Sequence, residues 1–492
     1  MTVENRFNLI DEAWIPVADT GIVSLRQLFS EKSYRTIGGT PVEKIAITKL
    51  LLAIAQAAYT PQDDDEWRRI GSDGLASSCL EYLTKWHDAF YLYGDKPFLQ
   101  MLEINKAEIK SFGTVIPDVA TGNTSRLTQY HVEKTLDDGQ KALLLLLQMN
   151  FALGGKKTDN KIILSPSYGG KTNSKGKPTS GKPGPSLAHM GLLHSFAVGA
   201  YLQETLWLNL LTQENINEIE LYSQGVGIAP WEKMPEGEDC TTAKLLKNSL
   251  MGRLVSLCRF CLLTDNGLHL TEGINHLSHK EGLFDPSITT KLVGKDLKVI
   301  WVDPERRPWR QLPALLGFIG QRTGAGDCFQ LKYALTKAHQ AVDEFGVWSG
   351  GIRVSSNAGE QYVSGKDDVL ESTLLLPKNC TQKLWFDCYT SQMTALDTLA
   401  KRLYGSVSYY FKSLNKDGKD QASNATLMFW QLCERESQQL LNDCDDISVM
   451  AKLRQIFARY IQQTYDCFCP NQTARQLDAW AKSRPSVADY LK

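Results

Sequence analysis

After Pro377 the chain places Tyr389, Met393, Leu396, Ala400, Leu403, Val407 and Tyr410 at successive spacings of 4-3-4-3-4-3. An α-helix keeps such a set on one side, because at 3.6 residues per turn positions three and four apart share a face. A stripe that long has to be covered by something. Met450, Leu453, Phe457, Tyr460, Thr464 and Cys467 repeat the spacing, and shorter periodic segments run from Trp430 to Leu441 and from Leu477 to Ala488. Short connections make such helices antiparallel neighbours, so residues 379–492 are expected to form an antiparallel four-helix bundle that begins near Pro377 to Gln382. A fragment from about Thr381 to Lys492 is expected to fold without the rest.

Residues 1–378 are patterned differently. "FNLIDEAWIPV" alternates around Asp11 and Glu12 and is followed by "GIVSLRQLF", which reads as strand, turn, strand, helix. Pro41 to Ala58 reads as a helix, and a second starts after "PQDDDEWRRI" with Asp63 to Glu66 in its first turn. Adjacent carboxylates can hold a metal; the commoner use at this position is to complement the positive end of the helix dipole. "DDGQKALLLLLQMNFAL" has a capping Asp137, an apolar run and a stop at Gly154 and Gly155. "SLCRFCLLTDNGLHL" reads as a hairpin turning at Asn266 and Gly267. The fold class expected is therefore α+β, a large mixed α/β N-terminal domain followed by the bundle.

Composition narrows the class of protein. With 492 residues, 42% hydrophobic and 22% charged, the chain can bury several cores and is not a disordered polymer. Met1 to Arg6 lead into a strand rather than an apolar signal region, and Ile45 to Ala58 is interrupted by Lys49 and Gln56, so neither secretion nor a membrane is expected. Eleven cysteines without regular spacing fit a reducing cytoplasm. Charge is distributed unevenly. The 54 basic and 55 acidic residues nearly cancel, yet Gly154 to Gly184 carries seven lysines, seven glycines and a single acid. Such a strip either gathers phosphates, with glycine allowing close backbone approach, or is a solvated insertion.

Two enzyme-like or metal-like patterns stand in the sequence. "KIILSPSYGGKT" with the later "KVIWVDP" outlines a nucleotide-binding loop and its acidic strand, the basis of an alternative reading as a P-loop-like hydrolase. Ser165 replaces the first loop glycine, however, and "NSKGKPTSGKPGP" after Thr172 cannot start the helix whose N–H groups would cradle phosphate. Cys258, Cys261, His276 and His279 approach a zinc spacing, but residues three apart on a strand face opposite sides and the histidine pair is tight. No metal, cofactor or catalysis is expected. Lone histidines such as His87 and His339 are expected to be satisfied core or surface residues.

"FNLIDEAWIPV", "VSLRQLF", "LLLAIAQAAYTPQDDDEWRRI", "DAFYLYGDKPFLQM", "GLFDP" and "SGGIRVSSN" occur in that order along nearly the whole chain. In order and character they resemble the CasA family, the large subunit of the type I-E CRISPR Cascade complex. The resemblance implies a non-catalytic subunit whose partners are other Cascade subunits, the 5' handle of the CRISPR RNA, double-stranded target DNA bearing the short flanking motif called the PAM, and a Cas nuclease-helicase. In such a complex guide pairing reads the target while protein reads the PAM. Carried onto this chain, the family's glycine loop falls at Gly154, Gly155, Lys156 and Lys157, its lysine at Lys280, and its wedge after Gly350, Gly351 and Arg353 at Ser355, Ser356 and Asn357. Lys171 and Lys175 are expected to meet DNA phosphate.

Overall fold

The computed structural model describes residues 4–116, 134–150, 162, 164, 174–175, 191–276, 285–293, 296–320, 328–353 and 369–491. The chain forms two compact units, one of residues 1–304 and 323–373 and one of residues 305–322 and 374–492. The second unit thus takes in residues 305–322, which the sequence pattern assigned to the N-terminal domain.

In the first unit, the opening segments form short strands at Arg6–Asn8, Ile15–Val17 and Gly21–Val23 and a helix at Leu25–Ser30. Ser24 and Gln27 close a capping box at that helix. Ile15–Val17 pairs with Gly21–Val23, whereas Arg6–Asn8 pairs with the distant Tyr91–Tyr93. At the centre is the helix Pro41–Ala58, started by a Thr40/Glu43 capping box and a proline in its first turn. It is buried nearly all round from Ile45 to Gln56, and it packs on the helices Asp64–Lys85 and Asp138–Asn150 and on the strand Phe345–Ile352.

Asp63 caps the helix Asp64–Lys85 by accepting from the Glu66 N–H, and Asp65 pairs with Arg68, so the acidic run serves the helix start. The leucine helix Asp138–Asn150 opens with a reciprocal cap between Asp137 and Gln140. Two antiparallel three-stranded sheets flank this core. One has Gly267–Glu272 between Ile109–Ser111 and Arg259–Leu263, and its hairpin turns where expected, with the Thr264 N–H bonded to the Gly267 carbonyl. The other has Phe345–Ile352 between His194–Val198 and Val369–Leu376.

The second unit is helical, with helices at Lys383–Ser413, Lys419–Glu434, Ser437–Asp443, Ile447–Phe468 and Ala474–Ser483. The seam from Tyr389 to Tyr410 is buried at every expected position. The seam on Ile447–Phe468 drifts. Met450, Leu453, Phe457 and Thr464 are buried, but Tyr460 is half-buried, Cys467 is exposed, and Ile461 and Tyr465 take their places inside. A helix of 3.6 residues per turn rotates about 20° per heptad against a strict 3.5 repeat, which moves the stripe one position on. The segment expected from Trp430 to Leu441 is split in two at Arg435–Glu436, and the last helix ends at Ser483, before Pro485.

The helix Pro308–Leu315 completes this unit. Trp309 is buried and its carbonyl accepts from the Tyr389 hydroxyl at 2.7 Å. The Arg310 guanidinium lies 3.6 Å from the centre of the Trp430 ring and 3.7 Å from Asp397.

Candidate nucleic-acid interface

Three segments singled out in the sequence lie outside the described residues, one following Asn150, one between His276 and Asp285, and one following Arg353. Asn150, His276 and Asp285, which border the first two, lie on one chain of buried polar contacts, and that chain ends at His194 beside the strand that carries the third. It begins at the end of the leucine helix. The Ser256 hydroxyl faces the Met149 carbonyl at 3.0 Å and Asn150 Oδ1 at 3.1 Å, and the Cys258 N–H also bonds to the Met149 carbonyl. The Ser256 carbonyl accepts from His276 Nε2 at 2.7 Å, and His276 Nδ1 faces Arg253 Nη1 at 3.4 Å. The Arg253 carbonyl accepts from Lys49 Nζ at 2.9 Å, and Lys49 forms a buried ion pair with Asp285. Asp285 Oδ1 accepts from the Ser287 N–H and hydroxyl, and Ser287 Oγ in turn meets His194 Nδ1 at 2.9 Å. His194 is the register partner of Gly350.

Burial and charge fix the protonation states along this chain. Desolvation pushes the Asp285 carboxyl upward most strongly, but the charges of Lys49 and His194 and the bonds from Lys49 and Ser287 together hold it below its ordinary value. Burial lowers His194 and His276 to about 3, with the Arg253 charge adding to the effect at His276, so both rings are neutral near pH 7. Arg253 is itself lowered by burial.

Beside this chain the backbone is strained. Leu257, fully buried, has φ 46°, a left-handed conformation that costs a branched residue roughly 1–2 kcal/mol. It is held by the Ile274 N–H, 2.8 Å from its carbonyl, and by Gly273, where an added Cβ would lie 2.0 Å from that carbonyl.

Of the residues expected to meet DNA, Gly154, Gly155, Lys156, Lys157, Lys171, Lys280, Ser355, Ser356 and Asn357 lie outside the described residues. Lys175 sits in an exposed turn and Arg353 is half-exposed where the strand Phe345–Ile352 ends. Gly350 and Gly351 are a correction. Both are buried in the sheet, where a Cβ on Gly350 would lie 2.6 Å from the Trp348 ring and one on Gly351 2.7 Å from the Leu192 carbonyl. They permit close packing inside the fold and present no surface to a duplex.

The zinc-like set lies partly outside the described residues. Cys261 is buried in a strand with its thiol pushed up to about 12 by desolvation, His276 engages Ser256 and Arg253 through its two ring nitrogens, and His279 lies outside the described residues. Among the described residues no three His, Cys, Asp or Glu side chains gather as a metal ion would need. Residues 165–173 of the nucleotide-loop-like stretch lie outside the described residues as well. None of the described helices is long and apolar enough to cross a membrane.

Comparison with known proteins decides the family. The family model for CRISPR-associated protein Cse1 matches residues 8–466. The chain belongs to the Cse1 family. CasA/Cse1 of Thermus thermophilus is 27% identical over 345 residues, covering 65% of this chain and 62% of that relative's length. The crystal structure of Thermobifida fusca Cse1 superposes with a TM-score of 0.79 at 19% identity, over 99% of this chain and 98% of that one. A chain of a CRISPR RNA-guided surveillance complex gives 0.74 at 14% identity, over 99% and 100%. The Cse1 fold is therefore present from end to end, with the α+β organisation expected from the sequence.

Sequence reasoning did not single out Ser256, Arg253 or His194. It met Lys49 only as an interruption of an apolar run. A lysine set within the mostly apolar run Ile45–Ala58 is the signal that was available, because a buried cation needs a carboxylate partner.

Proposed function

We propose that this Cse1-family chain is the non-catalytic large subunit of a type I-E CRISPR RNA-guided surveillance complex acting in the cytoplasm. In this reading it contacts the 5' handle of the guide RNA and its sister subunits. It recognises the PAM in double-stranded DNA, helps separate the strands beside it and supports recruitment of a nuclease-helicase. The observation that carries the proposal is the family match over residues 8–466. The buried network that joins Asn150, His276 and Asp285 supports it, since a reader assembled from separate loops needs their origins fixed relative to one another.

Purification of the tagged chain from its host, with sequencing of the RNA that accompanies it, tests the assembly part of the proposal. Guide RNAs sharing one repeat-derived 5' end are expected. Recovery of the chain free of RNA and of other subunits contradicts it.

A further inference from the structure

We propose that the outer face of the helix Lys383–Ser413 is a track for single-stranded DNA, held through its phosphates by Lys383, Lys401 and Lys412. The inference rests on the functional reading above, in which strands are separated. The seam from Tyr389 to Tyr410 accounts for one side of this helix. On the opposite side every position from Lys383 to Lys412 at spacings of 4-4-3-4-3-4-4-3 is exposed. This stripe holds the three lysines, Ser391, two threonines, Gly405, Tyr409 and a single acid, Asp387. It has no aliphatic side chain larger than threonine, so burial of apolar surface cannot drive docking there.

Lysine and hydroxyl side chains are groups that meet phosphate oxygens. Thr394 and Thr398 give their hydroxyl protons to carbonyls of their own helix, so the lysines, Ser391 and Tyr409 carry the contact. Among the described residues no carboxylate pairs with Lys383, Lys401 or Lys412. Cations on the other side of the unit are matched: Arg402 with Asp489, Lys482 with Asp478 and Arg484 with Asp466. The unmatched positive charge is thus gathered on the face that lacks apolar groups, which is the complement of a polyanion.

Gly405 is an independent sign. It stands inside a 31-residue helix, where glycine is a poor helix former, and a Cβ there would meet nothing within 4 Å. No contact among the described residues calls for it. Bare backbone between Lys401 and Lys412 lets a strand come close to the helix. The length of the stripe selects the form of the nucleic acid. From Lys383 to Lys412 the helix rises about 44 Å at 1.5 Å per residue. A duplex, with a turn of about 34 Å, curves away from a straight helix and reaches only part of the stripe, whereas a flexible single strand can follow all of it.

The test measures anisotropy of the full chain with a fluorescent oligothymidine and with a duplex of equal length, across a salt series. Replacing Lys383, Lys401 and Lys412 together by alanine is expected to weaken single-strand binding roughly tenfold at low salt and to lower the salt slope by about 0.7 for each lysine, with a smaller loss on duplex. Arg402→Ala combined with Lys482→Ala, which removes cations already matched by carboxylates, is expected to leave the slope unchanged. Gly405→Glu is expected to raise the melting midpoint by about 1–3 °C, glutamate being the better helix former, yet to weaken single-strand binding roughly threefold. A triple variant that keeps the wild-type slope, an equal loss with the matched cations, a greater loss on duplex than on single strand, or a Gly405→Glu chain that binds as wild type overturns the track. The functional reading fails separately, through a chain recovered without guide RNA, on which none of these variants bears.

Discussion

Lys49 and Asp285, 236 residues apart in sequence, form an ion pair in which both side chains are almost completely withdrawn from solvent. The lysine comes from the central helix, and the aspartate is the first described residue after His276. This pair joins the core of the first unit to the departure points of the segments proposed to read DNA.

Removing one partner leaves the other buried and uncompensated. Lys49→Met is expected to destabilise the first unit by about 3–5 kcal/mol, and Asp285→Asn, which keeps the shape and the bond from Ser287, by less. Urea unfolding followed by tryptophan fluorescence measures both; a destabilisation below about 1 kcal/mol for Lys49→Met contradicts the described pairing.

Acid should weaken the fold before the carboxylates titrate. His194 and His276 have folded values near 3, below the ordinary 6.5, so the unfolded chain binds more protons between those limits. Their contribution is complete above about pH 6.5 and is lost as pH falls below it, about 1.4 kcal/mol for each ring at pH 5.5. Asp285 is also depressed, so its contribution is present above the ordinary carboxylate value and is lost only as pH falls through its lower folded value. Chemical denaturation from pH 7.5 to pH 5 measures the slope, and His276→Gln is expected to flatten it.

The helical unit should depend on residues outside its contiguous sequence. A fragment of residues 374–492 lacks Trp309 and Arg310, so it is without the bond to the Tyr389 hydroxyl and the cation over Trp430. It is expected to melt well below a version in which residues 305–322 are linked to its N-terminus, with a deficit of about 3–5 kcal/mol from the missing buried tryptophan. Circular dichroism melts of the two fragments make the comparison; equal midpoints contradict the assignment of residues 305–322 to this unit.

Local signals were read more accurately than distant ones. The helix Pro41–Ala58, the capped helix after Asp63, the start of the leucine helix, the hairpin at Gly267 and the seam from Tyr389 to Tyr410 follow from caps, turns and periodicity within a few residues. The pairing of Arg6–Asn8 with Tyr91–Tyr93 and the inclusion of residues 305–322 in the helical unit depend on partners far along the chain, which periodicity does not encode. At the candidate interface, "GLFDP" and "GGIR" were visible as motifs, yet Asp285 is a buried ion-pair partner and Gly350 and Gly351 are interior spacers.

The central claim, that the chain both holds DNA through charge and reads it through a separate wedge, is tested most directly by the salt dependence and flank preference of one lysine variant. In the assembled complex, replacing Lys156, Lys157, Lys171 and Lys175 by alanine is expected to weaken binding to all duplexes alike. The salt slope should fall by roughly 0.9 for each phosphate that is no longer neutralised, with flank preference intact. Replacing Ser355, Ser356 and Asn357 by alanine is expected to spare affinity and slow strand opening, reported by 2-aminopurine at the first target base pairs. A lysine variant that loses flank preference while its salt slope stays unchanged contradicts the account.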